Sequence, residues 1–412
     1  MTEYTPAVLD GGKIKGLPTD GTIPNGSISP GLSCPLVTNR TICNMSGISL
    51  STVTDRIIYE TLPIQNTTNI PIVGFALLDT QWRQASGGSG GIYVPKIVST
   101  NASPFFTETN ISSTNNQDNF TQLVGYPLEI KPGMNVSSVC FTMGGASLDV
   151  NTAAFQSQFS TIVGFSGYNV AYSDLATRTA SSTGTGSYED ISGMTATITV
   201  SASSKILVLI SQTSNNGTNI IRIADGADAS IKTFSDVNGA RTRRPLTIFH
   251  LTDALSAGTY TVKLRIDPLG NATTYRGASI FLMEIPATAL SFKVESFTTP
   301  TTSDATIATL SGISYSGYKR FLLFKQFTGV SGTVGTDYLL TRFASYNGTT
   351  EIDLLQDKKH CSELNSVREV FSHHHITIPL TGITEFRLKA SKTSGFTLYA
   401  GEEFIAVEMP NR

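Results

Sequence analysis

The sequence predicts an all-β protein: an N-terminal extended arm followed by three tandem β-sandwich domains, the last two an internal duplication. Three observations carry that expectation. Only 15% of the 412 residues are charged, and Thr, Ser, Val, Ile and Gly abound, a balance that suits half-buried strands and turns better than solvated helices. Strand-length segments alternate apolar and polar positions between Gly, Asn, Asp and Ser turns. In the C-terminal half a block pattern recurs, which marks a repeated domain.

Residues 1–44 read as the arm. Asp10 to Pro24 is dense in Gly, Pro and Asp and too poor in apolar residues to build a core, so its order must come from a partner. Residues 45–172 read as a first β-rich domain, with strands expected over Asp55–Glu60, Ile70–Leu78, Gly91–Ile97 and Ser137–Met143. A Gly-rich tip, Gly87-Gly88-Ser89-Gly90-Gly91, follows the only tryptophan, Trp82. It lacks the Lys-Ser/Thr ending of a phosphate-binding loop and leads back into a strand, so a hairpin tip is expected.

The duplication covers 173–289 and 290–412. One copy ends Tyr275-Arg276-Gly277-Ala278-Ser279-Ile280-Phe281-Leu282-Met283-Glu284-Ile285-Pro286. The other ends Tyr399-Ala400-Gly401-Glu402-Glu403-Phe404-Ile405-Ala406-Val407-Glu408-Met409-Pro410. Upstream, His250-Leu251-Thr252 with Leu255 matches His375-Ile376-Thr377 with Leu380. Arg222-Ile223-Ala224 matches Arg342-Phe343-Ala344, and Lys205 to Val208 matches Arg320 to Leu323. Four blocks in one order exclude coincidence. Gly258–Ile266 and Thr384–Lys389 show the period of two of a half-buried strand. Ile280–Ile285 is apolar on both faces and should lie centrally, until Pro286 stops it. About eight such strands per copy, without a helical pattern, indicate a sandwich of jelly-roll type.

Composition also excludes functions. Twenty-nine Lys and Arg against 31 Asp and Glu leave a net charge of −2, with no basic run of the kind phosphate binding requires, so no nucleic-acid partner is expected. Arg241, Arg243 and Arg244 read as a solvated or interface patch. No apolar run reaches membrane-spanning length, so no membrane insertion is expected. The polar start, Met1 to Pro6, lacks the pattern of a secretory leader, which predicts folding in a cytosol. There Cys34, Cys43, Cys140 and Cys361, none in a CxxC pair, are expected as free thiols without zinc.

Few residues point to chemistry. His373, His374 and His375 are consecutive. On a strand, His373 and His375 share a face, and three chains meeting on an axis could supply three imidazoles to a metal. His250 stands at the position of His375 in a copy that has no triplet, which favours strand or interface histidines and no metal. Glu284 and Glu408 recur just before a strand-ending proline, where a turn-bonding carboxylate is expected. Glu402 and Glu403 have no counterparts in Ala278 and Ser279, and a glycosidase pair cannot be located. Hydrolase and nucleotide-binding motifs are lacking, so neither catalytic residues nor a cofactor is assigned.

The arm segment Gly12-Lys13-Ile14-Lys15-Gly16-Leu17-Pro18-Thr19-Asp20-Gly21-Thr22-Ile23 resembles the G-K-I-K-x-L-P-x-G-D-x-[LI] stretch near the N-termini of tailed-phage structural proteins: head fibres, capsid-decorating proteins and tail fibres. The family's Gly-Asp stands here as Asp20-Gly21. The β domains look like the trimeric jelly-roll modules of phage fibres. The resemblance implies a non-enzymatic virion structural protein, a head fibre or decoration protein, assembled in the bacterial cytoplasm. Its arm would dock on a capsid or tail protein of the same particle through Lys13, Ile14, Lys15, Leu17, Pro18 and Asp20. A homotrimer is expected, with threefold packing of chains burying apolar strand faces. Host-cell glycans are the expected outer partner, with Tyr315, Tyr318, Tyr338 and Tyr346 as candidate contacts. The alternatives are a tail-fibre receptor-binding protein that recognises glycans and, behind it, a polysaccharide depolymerase.

Overall fold

A computed structural model describes the backbone of every strand named below. It describes the side chains of residues 66, 69, 71–75, 77, 129–133, 168–173, 188–211, 222–227, 229–233, 247–267, 279–333, 336–354, 359–360, 368–399 and 403–409. Among these residues the structure is all-β and its sheets are antiparallel.

Near the N-terminus β1 (Val8–Asp10) pairs with β2 (Lys13–Lys15), in the register Leu9↔Ile14 and Asp10↔Lys13. The expected extended arm is thus partly folded on itself.

The first unit contains β3 (Thr38–Cys43), β4 (Ile48–Leu50), β5 (Arg56–Glu60), β6 (Ile64–Gln65) and β7 (Ile72–Gln84). It continues with β8 (Ile92–Ser99), β9 (Phe120–Ile130), β10 (Asn135–Met143), β11 (Leu148–Val150) and β12 (Gln158–Phe165). The second unit runs through β13 (Val170–Asp174), β14 (Thr179–Ser181), β15 (Glu189–Val200), β16 (Lys205–Asn215) and β17 (Asn219–Asp225). Its remaining strands are β18 (Ser230–Asp236), β19 (Arg244–Leu251), β20 (Gly258–Asp267) and β21 (Thr274–Ile285). The third comprises β22 (Ser291–Val294), β23 (Ala305–Leu310), β24 (Arg320–Ser331), β25 (Leu339–Tyr346) and β26 (Glu351–Asp353). It closes with β27 (Lys358–His360), β28 (Glu369–Ile376), β29 (Glu385–Lys392) and β30 (Phe396–Met409).

Two boundaries move from their expected places. Thr38–Cys43 pairs with β12, so the first sheet begins at residue 38 and the arm ends before it, not at 44. Val170–Asp174 pairs with β21, so the second unit begins by residue 170, not 173.

Strand order repeats across the units. The second has one sheet ordered β13-β21-β16-β19 and another ordered β15-β20-β17-β18; the third has β22-β30-β24-β28 and β23-β29-β25-β26. Leaving β14 aside and taking β26 and β27 as one place, both read first-eighth-third-sixth and second-seventh-fourth-fifth. Among the described residues the first unit contains the first-eighth-third-sixth path as β3-β12-β7-β9 and second-seventh-fourth as β5-β10-β8, with β4, β6 and β11 added at its edges. That kinship left no recognisable trace in the sequence of the first unit.

The doubly apolar strands explain the packing. In β21, Ile280 and Leu282 face the interior of the second sandwich, and Phe281, Met283 and Ile285 face the other way. In β16, Ile206, Val208 and Ile210 point inward, and Leu207 and Leu209 outward. The third unit divides likewise, with Phe321, Leu323, Phe404 and Ala406 inside and Leu322, Phe324, Ile405, Val407 and Met409 outside. The outward sets meet Phe75 and Leu77 of β7 in a single core shared by all three units. Each unit touches both others there: Phe75 lies 5.5 Å from Phe281 and 6.5 Å from Phe324, and Phe249 stacks on Phe324 at 3.9 Å. Fully burying one such side chain is worth about 1.5–3 kcal/mol. Apolar strand faces of all three units are thus buried against one another within the chain.

Close packing inside the third unit is specific enough to test. A Cβ on Gly329 would stand 2.6 Å from Cζ of Phe396 and 3.4 Å from Phe371. One on Gly395 would fall 2.0 Å from a carboxylate oxygen of Asp337. Gly329→Ala is expected to lower stability by about 1–3 kcal/mol through overpacking, measured as a shift in the urea midpoint. An unchanged midpoint would contradict the packing described.

Candidate functional site

The residues singled out from sequence are largely structural in their placement. Among the arm residues, Lys13, Ile14 and Lys15 form β2, while Leu17, Pro18 and Asp20 lie outside the described residues, as do Gly87–Gly91. The four tyrosines do not form one patch. Tyr338 precedes β25 and Tyr346 ends it, so they stand at opposite ends of an eight-residue strand. Tyr346 donates its hydroxyl to the Gly348 carbonyl and carries the Arg387 guanidinium 3.7 Å above its ring. Tyr338 carries Lys359 at 4.4 Å, and Tyr315 packs on Phe321. Tyr318 alone of the four is largely exposed, at 68%.

His373, His374 and His375 are all buried, and Phe343 stacks on His373 and His375. Inside the sandwich, these two imidazoles are not placed to meet symmetry mates at a chain interface. Lys325 is also fully buried there, its Nζ 2.7 Å from Nε2 of His360, which Thr341 also contacts.

The recurring glutamates bind turns. Glu284 accepts from the Ser201 amide at 2.7 Å, Ser204 Oγ at 2.8 Å and Asn169 Nδ2 at 3.3 Å. Glu408 accepts from the Leu290 amide at 2.9 Å and from Lys319 Nζ. Ser204 and Lys319 occupy equivalent places, each bridged to a leucine of the repeat, Leu255 or Leu380. Each carboxylate therefore ties the end of its unit's last strand to that unit's beginning. Burial pushes the Glu284 pKa up, but the Ser201, Ser204 and Asn169 bonds outweigh it and hold the group below its usual value.

A cluster of ionisable groups lies between the second and third units and centres on Glu403. The edge strand β19 presents outward backbone groups at Thr247, Phe249 and Leu251. Side chains of the third unit satisfy them. Ser372 Oγ donates to the Thr247 carbonyl at 2.5 Å, and Gln326 accepts from the Phe249 amide at 2.8 Å while donating to the Phe249 carbonyl. Glu403 Oε1 accepts from the Leu251 amide at 3.0 Å. In the sheet, Gln326 pairs with Ser372 on one side and Glu403 on the other. The three form one row across three strands, so β19 lies across that row instead of alongside a strand.

The second unit has the equivalent row, Thr247–Ser211–Ser279, also buried, and β9 of the first unit lies against its strands β19, β16 and β21. Strands β27 and β28 of the third unit contact β9 in turn, which closes the cycle.

Around Glu403 the charges are dense. Its Oε2 lies 3.1 Å from His250 Nδ1, which must carry the hydrogen because a carboxylate only accepts. Lys232 Nζ stands 3.8 Å from Glu403 and 2.7 Å from Glu295, and Lys293 bridges Glu295 at 3.6 Å and Asp253 at 3.0 Å. Lys205 Nζ donates to the Ser291 carbonyl. For Glu295, burial raises the pKa and the hydrogen bond and charge of Lys232 more than offset it; for Asp253, the Lys293 hydrogen bond lowers it directly.

His250, Glu295 and Glu403 offer ligand atoms within 4.8 Å of one another, a set that could hold a metal ion. Glu295 and Glu403 also bring two carboxylates together, which sequence could not locate. Both Glu403 oxygens are occupied and the residue is 0% exposed, so it cannot reach a glycosidic oxygen in this arrangement. In sequence Glu403 stands out only as a residue without a counterpart in the other copy, where Ser279 takes its place. That mismatch was the available signal, since a charge inside an otherwise apolar strand needs a partner. No family model matches the chain, and no curated protein matches it.

Two outcomes are expected. Glu403→Ala, which leaves the Leu251 amide and His250 without their acceptor, should cost about 3–5 kcal/mol, seen in urea unfolding, with Glu403→Gln costing less. Equal losses would mean that the acceptor is immaterial. A carboxylate with a lowered pKa contributes stability above the usual carboxylate range and loses it as pH falls through the lowered value. Glu284→Gln should therefore be less stable than wild type at neutral pH, and the gap should close on acidification.

Proposed function

We propose that the chain is a non-enzymatic structural protein of a tailed-phage particle, a head fibre or capsid decoration protein, with the N-terminal segment as its anchor. The observation that carries this proposal is the shared core. Three sandwiches spend their apolar faces on one another, and the charged groups brought together are consumed in holding them. That is the economy of a rigid building element. We read each unit as a jelly roll, which the order first-eighth-third-sixth against second-seventh-fourth-fifth supports.

In such a particle the segment before residue 38, which contains the Lys13-Ile14-Lys15 strand, docks on a capsid or tail protein. The β body faces outward, where polar surfaces including exposed Tyr318 meet host-cell glycans. Because these apolar faces are buried within the chain, a homotrimer would form through other surfaces.

Removal of residues 1–37 is expected to abolish incorporation into particles and to leave a folded, soluble body. Normal decoration by the truncated protein would refute the anchor. Release of reducing ends from host polysaccharide by the purified chain would refute the non-enzymatic assignment.

A further inference from the structure

We propose that His250, Glu295 and Glu403 form a divalent-cation site of the zinc type that the chain fills with its own ammonium, Lys232, so that Lys232 and a metal ion compete for one place. This inference does not depend on the phage assignment.

The donor set fits zinc, which takes imidazole nitrogen and carboxylate oxygen together. His250 Nδ1 and Glu403 Oε2 are 3.1 Å apart, near the ligand–ligand edge of about 3.3 Å that tetrahedral zinc requires. When an ion binds, the hydrogen that Nδ1 donates to Glu403 in the lysine-filled state is given up to solvent and the imidazole carries its hydrogen on Nε2 instead. Both side chains are held rigidly, at 5% and 0% exposure. Glu295 lies just beyond the end of β22 with its side chain 42% exposed, and can close the remaining gap. Three protein ligands leave a fourth position for water.

The second observation is the position of Lys232. Its Nζ stands between the two carboxylates, 2.7 Å from one and 3.8 Å from the other, where a cation belongs. The other charges facing the cluster are Lys293, which is shared between Glu295 and Asp253, and Lys205, which is engaged by the Ser291 carbonyl. With Lys232, Lys293 and Lys205 present, the three carboxylates of Glu295, Glu403 and Asp253 are already balanced, and a divalent ion would add charge in excess. It can enter only where Lys232 leaves. The junction between the second and third units therefore holds without dependence on metal supply.

Calorimetric titration of the full chain with zinc chloride tests this. Lys232→Met should bind one zinc at least about tenfold more tightly than wild type, and zinc should raise the variant's melting temperature but not that of wild type. Adding Glu295→Gln, at the exposed rim where folding is least at risk, should remove the gained affinity. Equal affinity in wild type and Lys232→Met would overturn the competition. Gained affinity that survives Glu295→Gln would place the zinc elsewhere and overturn the site.

Discussion

A buried edge strand cannot leave its backbone groups without partners, and the junction between the second and third units is built on that constraint. Strand β19 is the end strand of its sheet, yet Phe249 and Leu251 are buried among the residues of the shared core. Another strand could have paired with it. Instead one row of side chains, Ser372, Gln326 and Glu403, supplies the donors and acceptors. Because these come from three adjacent strands of one sheet, β19 must run across them. The crossing angle of the two units thus follows from hydrogen bonding as much as from packing.

The shared core then follows from alternation. A strand with apolar residues on both faces needs two covers, and in β16, β21, β24 and β30 one face lines the parent sandwich while the other meets the two remaining units. The polar rows sit at the ends of these outward faces, where the neighbouring edge strand arrives. In the second unit the row is made of short hydroxyls, Thr247, Ser211 and Ser279; in the third, of Ser372, Gln326 and Glu403. The difference introduces a buried carboxylate, and with it the requirement for His250 and Lys232 nearby. The cation cluster is in that sense a consequence of the packing problem.

Much of the architecture was legible in the residues. Period-two alternation located Gly258–Ile266, which falls in β20, and Thr384–Lys389, which lies in β29 from Glu385 onward, and the apolar run at Ile280–Ile285 marked a central strand. The repeated Glu before Pro was recognisable as turn-bonding. Kinship of the first unit was not legible, because strand order is a property of pairing and no block of sequence records it. Nor were the tyrosines: whether Tyr315 packs on Phe321 while Tyr318 projects into solvent depends on neighbours distant along the chain.

The sequence by itself determined that the chain is β-structured, that one block pattern recurs in its last two units, and that certain strands are covered on both sides, since composition and periodicity are local and survive without knowledge of contacts. Only the tertiary structure decided what covers them. An apolar face states a need for burial but not its partner, because the hydrophobic effect has no direction. Three chains or three units of one chain satisfy it equally. The choice here was made by polar groups of fixed geometry, Gln326 and Glu403 against the amides of Phe249 and Leu251, which fit only when the units cross as they do.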